Sequence, residues 1–260
     1  MAINRVIALI TDFGAGDFFV GAVKGAIKSI HPAAEIIDVS HGVAPYSVLN
    51  AQFVLRSVHG YFPAGTVFMV VVDPGVGTGR RGLVARDGSY WYVLPDNGIL
   101  SAVASDELEV FSIRMEQYPD AAATFHGRDV FGPVAANIAR GHAPALFADR
   151  VTSFVRLPFP NFDRHEQAID APVAHVDRFG NVALAIPNAV LSEIDGAAWE
   201  IILGDEGVPA EPVRTYADIP EHGIGILPGS SGFVEIAMRE ESLAETFGVN
   251  IEDRIRIRYE

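Results

Sequence analysis

The sequence predicts an α/β fold: an N-terminal α/β domain with a mostly parallel sheet, then a smaller β-rich domain. Three observations carry that prediction. Continuous apolar runs of strand length alternate with runs of helical periodicity as far as Gly141. The texture changes near Ser153, where Pro158, Pro160 and Pro172 punctuate the chain. Beyond them, short apolar runs recur between turn residues without helical spacing. The expected division is 1–157 for the first domain, 158–171 for a linker and 172–260 for the second.

Val6 to Ile10 has the length and continuity of a buried strand. Its approach, residues 1–5, carries one positive charge and no small-residue cleavage site. It reads as the start of a strand rather than a leader. Asp17 is positioned to cap a helix whose Phe19, Val23, Ile27 and Ile30 share a face, with Pro32 just past its end. Glu35 to Val39 is the next strand, Ser47 to His59 a helix stopped at Gly60, and Thr66 to Val72 a third buried strand. Strand, helix, strand, helix, strand is the grammar of a parallel α/β layer. Tyr90 to Leu94 and Val110 to Ile113 extend the sheet. Asp129 to Arg140 predicts a helix with Val130, Val134 and Ile138 on one face, and Gly141 fits its left-handed stop. In the second domain the runs are Val173–Val176, Val182–Ile186, Glu200–Leu203, Phe233–Met238 and Ile255–Tyr259, which suit a sandwich or a barrel.

Composition narrows the function. The 260 residues are 49% hydrophobic and 20% charged, enough for a sizeable core and far from a disordered composition. There is no cysteine, which removes disulfides, thiolate metal sites and a cysteine nucleophile together. A net charge of −14 repels phosphate backbones, so nucleic acid is not expected as a partner. No run approaches the ~18 apolar residues of a membrane span. No membrane association is expected, and a cytoplasmic location is the default. The eight histidines fall in no metal-binding spacing, and no Walker lysine or Gly-x-Ser-x-Gly elbow is present.

Chemistry in open α/β sheets gathers at the carboxyl ends of strands. Two polar loops leave strands there. Thr11-Asp12-Phe13-Gly14-Ala15-Gly16-Asp17 offers two carboxylates, of which Asp12 suits a ribose diol or a turn cap, and Asp17 a ligand or a helix cap. Asp73-Pro74-Gly75-Val76-Gly77-Thr78-Gly79-Arg80 places glycines at alternate positions, and its Asp73 and Arg80 can pair across it. His126, ahead of the helix near Asp129, titrates near neutrality and can move protons.

Taken together, Thr11-Asp12-Phe13-Gly14, Asp73 to Thr78 with Arg80, Pro95-Asp96-Asn97-Gly98, Phe125-His126-Gly127-Arg128-Asp129, Phe179-Gly180-Asn181 and Gly229-Ser230-Ser231-Gly232-Phe233 resemble the S-adenosylmethionine hydrolase (hydroxide adenosyltransferase) family, related to fluorinases and chlorinases. The resemblance implies a β-barrel-like second domain and a homotrimer with active sites between subunits. It also implies S-adenosyl-L-methionine as substrate, adenosine as product, and no cofactor or metal. Asp73, Arg80 and His126 match the set that marks the water-using branch. Asp12 and Tyr46 would lie at the ribose, Asp17 and Asp177 at the methionine ammonium, and Ser230 and Ser231 near its carboxylate. Asn181 would read the adenine edge, Phe179 and Tyr216 would pack on the ring, and Gly127 would join the substrate contacts. Two departures stand out. The Asp177 turn is one residue shorter than in halogenating relatives, and Ser231 replaces an arginine. The rival readings are a sensor that binds the substrate or adenosine without turnover, a nucleosidase or phosphoesterase, and a halide-using adenosyltransferase.

Overall fold

The computed structural model describes residues 6–194, 196, 198–204 and 206–260; residues 1–5, read above as the approach to the first strand, lie outside the described residues. The chain divides into two compact units, Met1–Leu157 and Pro158–Glu260.

In the first unit, β1 (Val6–Thr11) is followed by α1 (Phe19–Ile30), β2 (Glu35–Ser40), α2 (Val48–Val58) and β3 (Val67–Val71). Then come β4 (Gly82–Arg86), β5 (Trp91–Pro95), β6 (Glu109–Ile113), α3 (Gly132–Ala139) and β7 (Ala148–Val151). The sheet order is β2-β1-β3-β5-β4-β6-β7. Pairings from β2 through β5 are parallel, and β4 and β7 run against their neighbours, so the sheet is mixed. Strand side chains alternate between faces. Ile7 and Leu9 therefore join the cluster made with Val23 and Ile27 of α1 and Val134 and Ala135 of α3, while the equally buried Ala8 and Ile10 turn to the other face.

The helix ends depart from the sequence reading in instructive ways. Asp17 does not cap α1: Phe18 holds that position with no side-chain bond, and Asp17 is exposed. At the other end Lys28 satisfies the carbonyls of Pro32 and Ala34 at 3.1 and 2.7 Å, a favourable use of a cation at a helix C-terminus. Ser47 caps α2 by accepting the Asn50 N–H at 3.2 Å, but Gly60 does not stop the chain, which runs on through a 3₁₀ turn, His59–Tyr61. The helix expected from Asp129 begins instead as a π turn, Gly127–Phe131, closed by Gly132 N–H donating to Gly127 O, before α3 continues.

The second unit comprises β8 (Asp163–Arg164), β9 (Ala168–Val176), β10 (Val182–Pro187), β11 (Trp199–Leu203), β12 (Glu206–Pro212), β13 (Ile224–Pro228), β14 (Phe233–Met238), α4 (Leu243–Phe247) and β15 (Arg254–Tyr259). The order β10-β14-β13-β12-β11-β15-β9-β8, with β9 also paired to β10, closes seven strands into a barrel. Strand β15 shows the logic in miniature: Ile255, Ile257 and Tyr259 are buried inside while Arg254, Arg256 and Arg258 face out. Residues 158–171, expected as a linker, contain β8 and the first residues of β9, so they belong to this unit. No helix among the described residues is long and apolar enough to cross a membrane.

Leu9 is fully buried on β1, between β2 and β3. Leu9→Ala should cost about 2–5 kcal/mol through lost burial and the cavity left behind, read as a lower urea midpoint for the first unit.

Candidate active site

Strand order β2-β1-β3 means the chain leaves β1 on one side and returns on the other. The mouth between β1 and β3 is therefore a topological switch point, where open α/β sheets bind ligands. A cleft of about 340 Å³ opens there. Asp12 and Phe13 reach it from the end of β1, Val71 and Asp73 from the end of β3, and His126 and Gly127 from the π turn. Phe13, Phe19 and Phe125 form one wall, their ring centroids 5.2–5.9 Å apart in tilted and edge contacts.

Two lining residues, Asp73 and His126, converge on Arg80, which is not itself part of the lining. Arg80 Nε donates to Asp73 Oδ1 at 2.9 Å and its Nη2 to Asp73 Oδ2, a two-pronged pair with both side chains nearly buried. The same Nη2 lies 3.1 Å from His126 Nδ1. A guanidinium can only donate, so Nδ1 is the acceptor and the imidazole proton sits on Nε2. Gly75 N–H adds a 3.2 Å bond to Asp73 Oδ1, which leaves Oδ2 as the less saturated oxygen. Adjacent Arg81 is captured elsewhere: it pairs with the buried carboxylate of Asp96, whose Oδ1 also accepts the Val155 N–H at 2.7 Å. Asn97 Nδ2 donates to Val72 O at 2.9 Å. The Pro95–Gly98 motif is thus a brace for the loop rather than part of the cleft lining.

The loop itself depends on Gly77. Its φ of +77° is left-handed, and a Cβ there would sit 2.8 Å from Ala123 O, so the backbone passes directly against the segment leading to His126.

Electrostatics follow burial. Burial pushes the Asp12 carboxyl above its ordinary range, with the charge of Asp73 adding to it and the Tyr46 N–H bond, 2.9 Å to Oδ2, opposing it. Tyr46 pays for that bond with a φ of 66°, an unusual conformation for a bulky residue that costs on the order of 1–3 kcal/mol. Its ring is 71% exposed at the cleft rim. Burial, and then the charge of Arg80, hold His126 below its ordinary 6.5, against the weaker pull of Asp73 and Asp129.

The second unit carries a separate pocket of about 400 Å³ lined by Phe179, Asn181, Tyr216, Met238 and Ser242, with Glu240 and Glu241. Phe179 and Tyr216 are 75% and 48% exposed, an unusual surface placement that presents two aromatic faces. Gly180 makes the turn possible, with φ +82° and no room for a Cβ against Ser242. Asp177 spends its carboxylate inside that turn, accepting Phe179 N–H at 2.8 Å, Asn181 N–H at 2.9 Å and Asn181 Nδ2 at 3.0 Å. Tyr216 OH donates to Glu235, a carboxyl raised by burial and by the charge of Asp177. Ser230 and Ser231 lie on the Gly229–Gly232 turn; Ser231 Oγ is buried without a hydrogen-bond partner, and Ser230 is exposed.

Of the residues singled out from sequence, then, Asp12, Tyr46, Asp73, His126 and Gly127 line one cleft, with Arg80 bonded to Asp73 and His126 but outside the lining, and Phe179, Asn181 and Tyr216 line a second pocket. Asp17, Asp177, Ser230 and Ser231 lie outside both linings. Sequence reading overlooked the aromatic wall, although Phe13 and Phe125 stand inside the quoted motifs, and it overlooked Glu235, which looks like an ordinary outward residue of β14. Among the described residues no cluster of three or more histidine or acidic side chains could hold a metal ion.

The chain was compared with known proteins. Residues 7–148 match the family model of the SAM hydroxide adenosyltransferase N-terminal domain, and residues 171–256 that of its C-terminal domain. A curated relative from Salinispora arenicola, named (R)-S-adenosyl-L-methionine hydrolase, is 37% identical over 99% of this chain and 99% of its own. A fluorinase from Actinoplanes sp. is 26% identical, with 95% of each chain covered. The crystal structure of an uncharacterized conserved protein from Thermotoga maritima superposes with a TM-score of 0.87 at 34% identity, covering 97% of this chain and 99% of that one.

Because the His126 proton is disfavoured in the folded state, this group's contribution to stability is fully present above pH 6.5 and is lost as pH falls through that value towards the folded midpoint. NMR titration of His126 should give a midpoint below 6.5, and Arg80→Gln should raise it.

Proposed function

The chain belongs to the S-adenosylmethionine hydroxide adenosyltransferase family, and from that premise we propose that it hydrolyses S-adenosyl-L-methionine, water displacing methionine from ribose C5′ to give adenosine. The convergence of Asp73 and His126, both lining one cleft, on Arg80 carries the reading. Relatives named for the (R)-sulfonium epimer support extending that preference to this chain.

The chemistry follows from the arrangement. Oxygen of water bonds to C5′ as the C5′–S bond breaks, and its electron pair leaves with sulfur as a neutral thioether. One proton is released. Placing the water in line behind C5′ is worth roughly 7–11 kcal/mol of barrier by orientation alone. In this reading Asp73 Oδ2 accepts the water proton, and Arg80 fixes the carboxylate and stabilises developing hydroxide. His126, protonated at Nε2, donates to the reacting oxygen or passes the proton outward. Asp12 holds the ribose hydroxyls, and the strained Tyr46 stands at the same rim. A carboxylate at Asp73 repels halide, which argues against the fluorinase-type reaction.

Phe179, Asn181 and Tyr216 are proposed to take the adenine, and Gly127 to pack against the substrate. Ser230 and Ser231 are assigned to the methionine carboxylate, and Asp17 and Asp177 to its ammonium. For Asp177 this requires sharing oxygens already engaged by its own turn. Assembly as a homotrimer with sites between subunits, a cytoplasmic location and catalysis without a cofactor or metal belong to the same proposal. A mass three times 27.9 kDa by analytical ultracentrifugation is the expected outcome for the assembly.

In ¹⁸O-water the enzyme should yield adenosine labelled at the 5′ oxygen together with methionine, read by mass spectrometry. Intact substrate would indicate a sensor, and free adenine a nucleosidase. Asp73→Asn should lower kcat by about 10²–10⁴-fold, the worth of a general base, with substrate affinity nearly unchanged by calorimetry.

A further inference from the structure

Arg80 has a further neighbour beyond Asp73 and His126. Its Cζ lies 5.2 Å from the centroid of the Phe131 ring, a distance at which a guanidinium is attracted to an aromatic face. Phe131 is fully buried. Behind the ring stands Gly82, the first residue of β4. A Cβ there would meet Phe131 Cε1 at 2.9 Å and Ile113 Cδ1 at 3.1 Å. The ring is therefore packed directly against the β4 backbone while it also neighbours the guanidinium.

The π turn explains how the ring gets there. His126 and Phe131 are five residues apart. On an α-helix such positions lie roughly 140° apart around the axis, so they could not both touch one side chain. A π turn closes from i to i+5 and brings them round to the same side. Here that turn spans Gly127–Phe131, sealed by Gly132 N–H to Gly127 O. His126 meets the guanidinium at Nη2, and the Phe131 ring lies beneath its Cζ. Asp73 holds Nε and shares Nη2 with the imidazole.

We propose that Phe131 is a positioning residue for the hydrolysis, and that the π turn exists to clamp Arg80 between an imidazole and a phenyl ring. Phe131 acts through Arg80: it fixes the plane of the guanidinium, and so the direction in which Asp73 Oδ2 and His126 present themselves to water. The inference rests on the hydrolytic reading above.

The test compares three variants with the parent enzyme on S-adenosyl-L-methionine. Phe131→Leu removes the aromatic face. Gly82→Ala keeps the ring but pushes it. Ile138→Ala makes a hole on the same helical segment, away from Arg80. Phe131→Leu and Gly82→Ala should each lower kcat by about 10- to 100-fold, as misplacement near the chemistry does, with KM little changed. Both should raise the NMR titration midpoint of His126, because a loosened guanidinium no longer suppresses its proton. Ile138→Ala should lose stability and keep kcat. If Phe131→Leu does not fold, Gly82→Ala carries the test alone. Parental kcat in a folded Phe131→Leu or in Gly82→Ala would overturn the proposal, as would an equal loss in Ile138→Ala. Failure of the parent to hydrolyse the substrate would overturn the hydrolytic reading instead.

Discussion

The nearly buried pair between Asp73 and Arg80 is the constraint around which the first unit is arranged. Two opposite charges withdrawn from water are costly unless each is held by further partners, and removing either one leaves an uncompensated charge. The fold supplies those partners from four directions: the Gly75 amide, the His126 imidazole, the Phe131 ring and the carbonyl of Arg81, 3.5 Å from Nη1. Such a pair contributes little net stability, so its retention is better understood as a means of holding a carboxylate oxygen in a fixed direction.

The same economy governs the imidazole. A histidine facing a guanidinium has to offer a lone pair, and that decides its tautomer without any further residue. Burial and the neighbouring cation then keep it neutral, so that its remaining N–H is a donor aimed into a cleft whose other wall is aromatic. Neutral donor, oriented carboxylate and dry wall are what a reaction needs when a cation becomes a neutral leaving group.

Much of this was legible in the sequence, for reasons that can be named. β1 and β3 announce themselves because strands inside a parallel sheet are apolar on both faces. The barrel strand β15 announces itself by strict alternation. β4 was not legible, since Gly82-Leu-Val-Ala-Arg follows two arginines and looks like the tail of a loop. β12, Glu-Gly-Val-Pro-Ala-Glu-Pro, was hidden by its prolines and glutamates, which tertiary pairing overrides. The π turn was invisible because periodicity at 3.6 residues assumes the helix it interrupts. Asp73 and His126, fifty-three positions apart, cannot be joined by local pattern at all; only the resemblance of several loops at once suggested it. Phe131 was missed for a plainer reason: in a helical stretch, a phenylalanine reads as filling.

Neighbouring Arg80 and Arg81 are bound by different carboxylates, Asp73 and Asp96, at the start of a strand where consecutive side chains face opposite ways. A slip of one position in β4 would exchange the two arginines, leave a sequestered acid without its cation and send Leu83 to the wrong side of the sheet. Misregistered molecules would therefore be both unstable and inert. The hydrogen-bond ladder of an inconspicuous strand acts as the checkpoint that allows only correctly assembled copies to carry a working centre.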